Sequence, residues 1–280
     1  MSNPLNIQQA RTLLFVPGNR SERFDKAVRS GADAVVLDLE DSVPPNAKQD
    51  ARRAIVHAWS ALQAMGLPLV LRINPETSAV WRDDLALLNQ LPGLAALMVP
   101  KAESADSLGT LHSAFKHLPL LPLIETAAGW FHLNAIAQAP GIVRLALGHI
   151  DFMADTGMQC SEDENELAPL RFAITMATRL ASLPPAIDGV TVQTQDTARL
   201  TADTQRAKRF GFGGKLCIHP TQIAPVHEAF APSMAELAWA QRVMEADAAS
   251  GGAAVQLDGR MVDAPVVLAA RRVVNAAVQG

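Results

Sequence analysis

The stretch GADAVVLDLEDSVPPNAKQDARRAIVHAWSALQAMGLPLVLRIN (residues 31–74) decides the fold. It opens on a short apolar run, Ala34–Leu37, crosses a polar turn, continues through a helical segment and ends on a second apolar run, Leu69–Ile73. Both runs are short and rich in Val, Ile or Leu, as in parallel strands buried on both faces. Between them Ile55, Trp59 and Leu62 share one face of a helix running from about Ala47 to Met65. This is a strand–helix–strand unit.

The unit recurs on both sides of that stretch. Further apolar runs lie at Thr12–Val16, Ala95–Val99, Leu121–Ile124, Val143–Leu147, Ala186–Val190 and Lys215–Ile218. Leu167, Leu170, Ile174 and Ala181 fit a helical face, and Asp196 is placed to N-cap a helix that stops at Gly211. Eight strands alternating with helices predict an α/β fold, a (β/α)8 TIM barrel, over residues 1–222. A doubly wound open sheet is the alternative, and it ordinarily needs fewer strands. After the eighth run the pattern changes. Ser233 and Glu236 make a capping box, Gly251-Gly252 breaks the helix, Asp258-Gly259 turns a hairpin, and a last helix runs from Val266 to about Ala277. Residues 223–280 therefore read as a C-terminal helix–hairpin–helix lid or oligomerisation segment.

Composition bounds the function. Of 280 residues 49% are hydrophobic and 19% charged, which suits a chain with a sizeable core rather than a disordered one. A net charge of −4 argues against a generally basic nucleic-acid binder. No apolar run approaches the roughly 18–20 residues that cross a bilayer, and the first residues lack a secretory layout. Two cysteines, Cys160 and Cys217, make no disulfide framework, so a cytoplasmic location is expected.

In a parallel barrel, chemistry sits at the carboxyl ends of the strands. Those ends read Pro17-Gly18-Asn19-Arg20, Asp38-Leu39-Glu40-Asp41, Arg72-Ile73-Asn74, Pro100-Lys101, Glu125-Thr126, Gly148-His149-Ile150-Asp151, Asp188-Gly189 and His219-Pro220. Glu125 and Asp151 end neighbouring strands, and two carboxylates suit a hard cation that keeps several waters, as Mg²⁺ does. His149 has no second histidine at ligand spacing, so a structural role is the simpler reading. Arg72 follows a buried strand, where a guanidinium needs an anion: a substrate carboxylate, an internal pair with Asp38 or Glu40, or both. The amides of Thr126 to Gly129 begin a helix and offer a second carboxylate site. Asp38, Glu40 and Asp41 are close enough to raise one another's pKa. No Walker or GxGxxG motif is present.

The stretches LLFVPGNRSERFDKA (13–27), GADAVVLDLEDSV (31–43), LRIN (71–74), VPKAES (99–104), PLIETAAG (122–129) and GFGGKLCIHPTQ (211–222) resemble the CitE-like proteins. That group comprises the citrate lyase β subunit and the malyl-CoA and citramalyl-CoA lyases. Many members carry an acid immediately before the metal-binding Asp, where this chain has Ile150. The resemblance implies a Mg²⁺-dependent lyase of a β-hydroxyacyl-CoA with Glu125 and Asp151 as metal ligands. It implies Arg72, with Thr126 and Ala127, on the keto-acid carboxylate, and Glu40 at the active centre. Arg20, Lys26, Lys48, Ile218 and His219 would hold CoA. Asp263, just past the hairpin, would act on the α-proton from a neighbouring subunit of a homotrimer or hexamer; read by itself, Asp263 is an N-cap of the last helix. The favoured substrate is (S)-citramalyl-CoA, giving acetyl-CoA and pyruvate, with citryl-CoA and malyl-CoA as rivals. Three other readings stand beside it: a Schiff-base aldolase using Lys101, a non-catalytic subunit needing an acyl-carrier partner, and a catalytically inactive CoA-binding regulator.

Overall fold

The computed structural model describes residues 6–278. The chain divides into two compact units, one running to His227 and the other beginning at Glu228.

The first unit is a closed barrel of eight parallel strands in sequence order. They are β1 (Thr12–Pro17), β2 (Ala34–Asp38), β3 (Leu69–Arg72), β4 (Ala96–Val99), β5 (Leu120–Ile124), β6 (Ala146–Leu147), β7 (Ile187–Asp188) and β8 (Gly214–Cys217). The two-residue period explains why most of these segments are apolar on both faces. Ala34 and Val36 of β2 join Leu13, Val70, Met98 and Leu123 inside the barrel. Val35 and Leu37, equally buried, point the other way, toward the helical layer.

The helix predicted from Ala47 spans Lys48–Gln63 and buries Ile55, Trp59 and Leu62. Asp196 does cap the helix Thr197–Arg209 by accepting from Arg199 N, and Gly211 takes the left-handed conformation beyond it (φ 88°).

β6 and β7 are shorter than their apolar runs, two residues each instead of five. Pro184 and Pro185 precede β7 and have no N–H for a ladder. Ahead of β6, Arg144 turns its buried guanidinium to the carbonyls of Ile7, Ala10 and Pro185, tying the barrel floor by a side chain.

The second unit has its own core of Ala240, Val243, Val262, Val267 and Ala270. Ser233 and Glu236 form the capping box of the helix Met234–Ala249. β9 (Val255–Leu257) and β10 (Arg260–Val262) pair antiparallel across Asp258-Gly259, both with positive φ (52° and 75°), as a two-residue type I′ turn requires. The last helix is Ala264–Val278. Asp263 stands at its start, where its Oδ1 accepts from Val266 N at 3.4 Å.

Candidate active site

Pairing of Ile124 with Leu147 sets the ends of β5 and β6 side by side. Glu125 and Asp151 consequently line one cavity of about 370 Å³, together with Asp38, Asp41, Arg72 and an apolar wall. A larger groove of about 470 Å³ lies between the helices Lys48–Gln63 and Trp81–Leu87, on the outside of the barrel. Its Arg52 is committed to Asp84 at 2.7 Å.

Arg72 organises the mouth. Its Nε and Nη2 donate to the two oxygens of Asp38 at 2.7 and 2.8 Å. Its Nη1 lies 2.8 Å from Glu40 Oε2, outside hydrogen-bond geometry, and 3.6 Å from Asp41. The guanidinium also sits over the Phe15 ring, 4.7 Å from its centroid. The Nε/Nη2 fork is thus spent on Asp38, and Nη1, close to Glu40, is the nitrogen not held in a hydrogen bond to Asp38. Asp38, fully buried, is pushed up by burial but pulled further down by Arg72, so it is a carboxylate well below the usual range. It also accepts from Glu40 N and from the Ser42 hydroxyl.

Glu40 is in the opposite condition. It is 4% exposed, neither of its oxygens has a hydrogen-bond partner, and burial lifts it to about 7 against the opposing pull of Arg72. The unfolded chain gives up this proton near the ordinary glutamate value, whereas the folded chain holds it until about pH 7. Raising the pH through that window therefore costs stability. Thermal unfolding in chelator-containing buffer is expected to show Tm falling between pH 4.5 and 7, and falling less steeply in Glu40→Gln. Equal slopes in the two proteins would contradict the assignment.

Glu125 is 2% exposed. Burial first, then the charge of Glu40, push it up to about 8, even though Lys101 N donates to its Oε1 at 2.7 Å. Gly148 passes so close that a Cβ there would lie 2.3 Å from Glu125 Oε2. Among the described residues no group of three or more His, Cys, Asp and Glu forms a metal cage. The arrangement is instead the pair Glu125 and Asp151 in a cavity that Asp38 and Asp41 also line, with Glu125 buried under surplus negative charge. That donor set fits a divalent cation completed by water and substrate.

Lys101 has φ 46°, and its ammonium lies 3.5 Å from Glu40 and 3.7 Å from Asp151. Partial burial pulls its pKa down, but Glu40, then Glu125 and Asp151, outweigh that and raise it. A Schiff-base nucleophile must be a neutral amine, and Lys101 is held as a cation. Lys215 is buried on the face of β8 opposite Leu216 and donates to Gly189 O at 2.7 Å.

Two sequence expectations meet a different geometry. Lys48, which the resemblance implies for CoA binding, is buried and donates to Leu39 O and Glu40 O at 2.7 and 2.8 Å. The carbonyls ending β2 needed a donor, and the helix start supplied one. Burial lowers its pKa. Two of the Thr126–Gly129 amides, read as a carboxylate site, are taken up by the protein itself. Ala127 N donates to Asp155 Oδ2 at 2.8 Å, and Gly129 N to the Thr126 hydroxyl at 3.0 Å. The Asp155 bond links the segment after Glu125 to the helix that carries Asp151.

Of the remaining positions, Arg20 and Lys26 are exposed, Arg20 paired with Glu22 at 2.6 Å. Ile218 is exposed at the end of β8, and His219 Nδ1 contacts Thr221 Oγ1 at 2.8 Å. His149 is buried and lowered by burial, with Nδ1 unpartnered beneath Gly189.

Sequence reasoning missed a buried ionic cluster behind His149. Glu164, in the left-handed region (φ 50°), takes Arg171 at 2.6 Å, Arg206 at 2.8 Å and Arg199 at 3.1 Å. Arg171 also pairs with Asp188 at 3.1 Å, and Lys215 approaches Asp188 at 3.4 Å. A guanidinium on the otherwise apolar face Leu167–Leu170–Ile174 was the available signal.

Buried acids around one guanidinium at the carboxyl end of a parallel barrel are the equipment of a barrel enzyme for carboxylate-bearing substrates. Comparison with known proteins agrees. A sequence model described as HpcH/HpaI aldolase/citrate lyase matches residues 11–220. A citrate lyase subunit beta-like protein of Deinococcus radiodurans is 34% identical, over 95% of this chain and 96% of its own length. The mitochondrial citramalyl-CoA lyase of Homo sapiens is 30% identical over 95% and 85%. CitE of Mycobacterium tuberculosis, solved with magnesium, acetoacetate and coenzyme A, superposes with a TM-score of 0.86 at 33% identity, covering 97% of this chain and all of that one. The chain belongs to the HpcH/HpaI aldolase/citrate lyase family and is a carbon–carbon lyase. No described helix is long and apolar enough to cross a membrane.

Proposed function

We propose that this chain is a Mg²⁺-dependent lyase of β-hydroxyacyl-CoA thioesters, with (S)-citramalyl-CoA cleaved to acetyl-CoA and pyruvate as the favoured reaction. Citryl-CoA and malyl-CoA are the rival substrates. The observation that carries the reading is the meeting of Glu125, Asp151 and Arg72 on one cavity, with Glu40 against Arg72. Glu125 and Asp151 would hold Mg²⁺, which supplies Lewis-acid stabilisation of the oxygen that becomes the ketone. Arg72 Nη1 would orient the substrate carboxylate, while Asp38 keeps the rest of the guanidinium immobile. In the cleavage the bond between the hydroxyl-bearing carbon and the α-carbon breaks. Its electron pair stays on the thioester fragment as an enolate, the hydroxyl loses a proton, and the α-carbon gains one. Glu40, held near neutrality, is suited to keep a proton at the mouth. Arg20, Lys26 and the Ile218–His219 segment would take the CoA moiety, and Lys48 would brace the carbonyl of Glu40.

Isolated full-length protein, assayed with citramalyl-, malyl- and citryl-CoA in Mg²⁺ and in EDTA, is expected to release keto acid in Mg²⁺ alone. No release from any of the three would end the lyase reading.

Asp263 would serve as the acid on the α-carbon, supplied by a neighbouring copy in a homotrimer or hexamer. Mixing Asp263→Asn with Asp151→Asn and allowing subunits to exchange is expected to restore part of the activity lost in each. Proven exchange without recovery would take Asp263 out of a shared site.

A further inference from the structure

The cavity holding Glu125, Asp151 and Arg72 is strongly asymmetric in its chemistry. Its charged lining is four carboxylates, Asp38, Asp41, Glu125 and Asp151, against a single guanidinium. That guanidinium is already bound through two nitrogens to Asp38. The remainder of the wall is mostly hydrocarbon, apart from Ser42, Gly148 and His149, and the Ser42 hydroxyl is given to Asp38. Leu147, Val190 and Leu216 line its inner part, with Leu147 and Leu216 at most 3% exposed. Ile150, Val192 and Ile218 line the outer part and are 41%, 53% and 39% exposed. All six come from the ends of β6, β7 and β8 or the segments that follow. Large apolar side chains left open beside a charged site are placed to meet an apolar part of a ligand. Lys101, the nearest further cation, lies between Glu40 and Asp151 and lines the neighbouring cleft. His149 is buried, and its Nε2 lies 3.8 Å from Glu164, in the ionic cluster behind the wall.

We propose that this wall, made by Leu147, Val190, Val192 and Leu216, selects a substrate whose 2-oxo-acid half carries one carboxylate and a small apolar side chain, and rejects one with a second carboxylate. The inference rests on the lyase reading above and narrows its substrate class. One carboxylate has Arg72 Nη1 and a bound divalent cation to neutralise it. A second would be turned against the hydrocarbon wall, in a cavity already rich in negative charge whose neighbouring cation, Lys101, is held between Glu40 and Asp151, and a desolvated unpaired carboxylate is expensive. A methyl or ethyl group in the same place gains from leaving water.

The test is calorimetric binding of pyruvate, 2-oxobutyrate and oxaloacetate to the full chain at saturating free Mg²⁺. 2-Oxobutyrate and oxaloacetate are similar in size and differ in charge, so the pair isolates the second carboxylate. Pyruvate and 2-oxobutyrate are expected to bind, and oxaloacetate to bind more than about tenfold more weakly than 2-oxobutyrate. In Val192→Arg, where the new cation starts from a half-exposed position, the ratio is expected to shift toward oxaloacetate by about tenfold. Oxaloacetate binding as tightly as 2-oxobutyrate in the parent, or an unchanged ratio in Val192→Arg, would overturn the proposal and leave the lyase reading standing. Binding of none of the three acids would instead bring down the lyase reading and the proposal with it.

Discussion

Glu125→Gln is expected to lower turnover at least about a thousandfold at saturating Mg²⁺, with the fold intact. The magnitude follows from the several kcal/mol of charge stabilisation that a bound divalent cation supplies, where about 4 kcal/mol corresponds to three orders of magnitude. The fold survives because glutamine keeps an oxygen for the Lys101 amide, the hydrogen bond that fixes the Glu125 side chain. Asp151→Asn, at a partly exposed position, should behave alike. Steady-state kinetics on a citramalyl-CoA panel, with Tm and circular dichroism as the check on folding, separates loss of the ion from loss of the barrel. Near-normal turnover in either variant would remove these two residues from the metal site.

The second large effect concerns Arg72. Arg72→Gln leaves the carboxylate of Asp38 buried without its bidentate partner, and breaking such a pair costs about 3–5 kcal/mol. Denaturant unfolding reads that loss. The double variant Arg72→Gln, Asp38→Asn removes both charges while keeping an acceptor for Glu40 N, so much of the stability is expected to return. Turnover should stay low in both proteins, because neither presents a cation to the substrate carboxylate. Recovery of turnover along with stability would make Arg72 a structural residue only.

The barrel was legible because its strands are largely buried on both faces and most appear as short apolar runs, although β7 and β8 also carry Asp188 and Lys215. The acids were legible for a related reason: Asp38 and Glu125 stand immediately after such runs and Asp151 four residues after one, where a parallel barrel has its mouth. The neighbouring positions of Glu125 and Asp151 follow from sequence order alone, since β5 pairs with β6. The inward turn of Lys48 was not legible. It depends on how closely the start of one helix approaches the carbonyls of Leu39 and Glu40, a tertiary distance that no local pattern encodes. The same holds for Glu164, whose three arginine partners are spread from residue 171 to residue 206. Arg72 fell between these cases. Its need for an anion was plain, but the division of its nitrogens between Asp38 and the cavity required coordinates.

The shortness of β6 and β7 has a mechanical consequence. Their register is a single pair, Ala146 with Ile187, whereas β1 and β2 share five. Side chains supplement the short ladder on that side: Arg144 at the floor, and the Glu164–Arg171–Asp188–Lys215 chain toward the mouth. A ring fastened by a ladder is stiff, and a ring fastened by ion pairs at one place has a seam. Asp151 and the apolar wall border that seam. Local opening there would release amide protons before the β1–β2 side and would widen the cavity without unwinding the rest of the barrel.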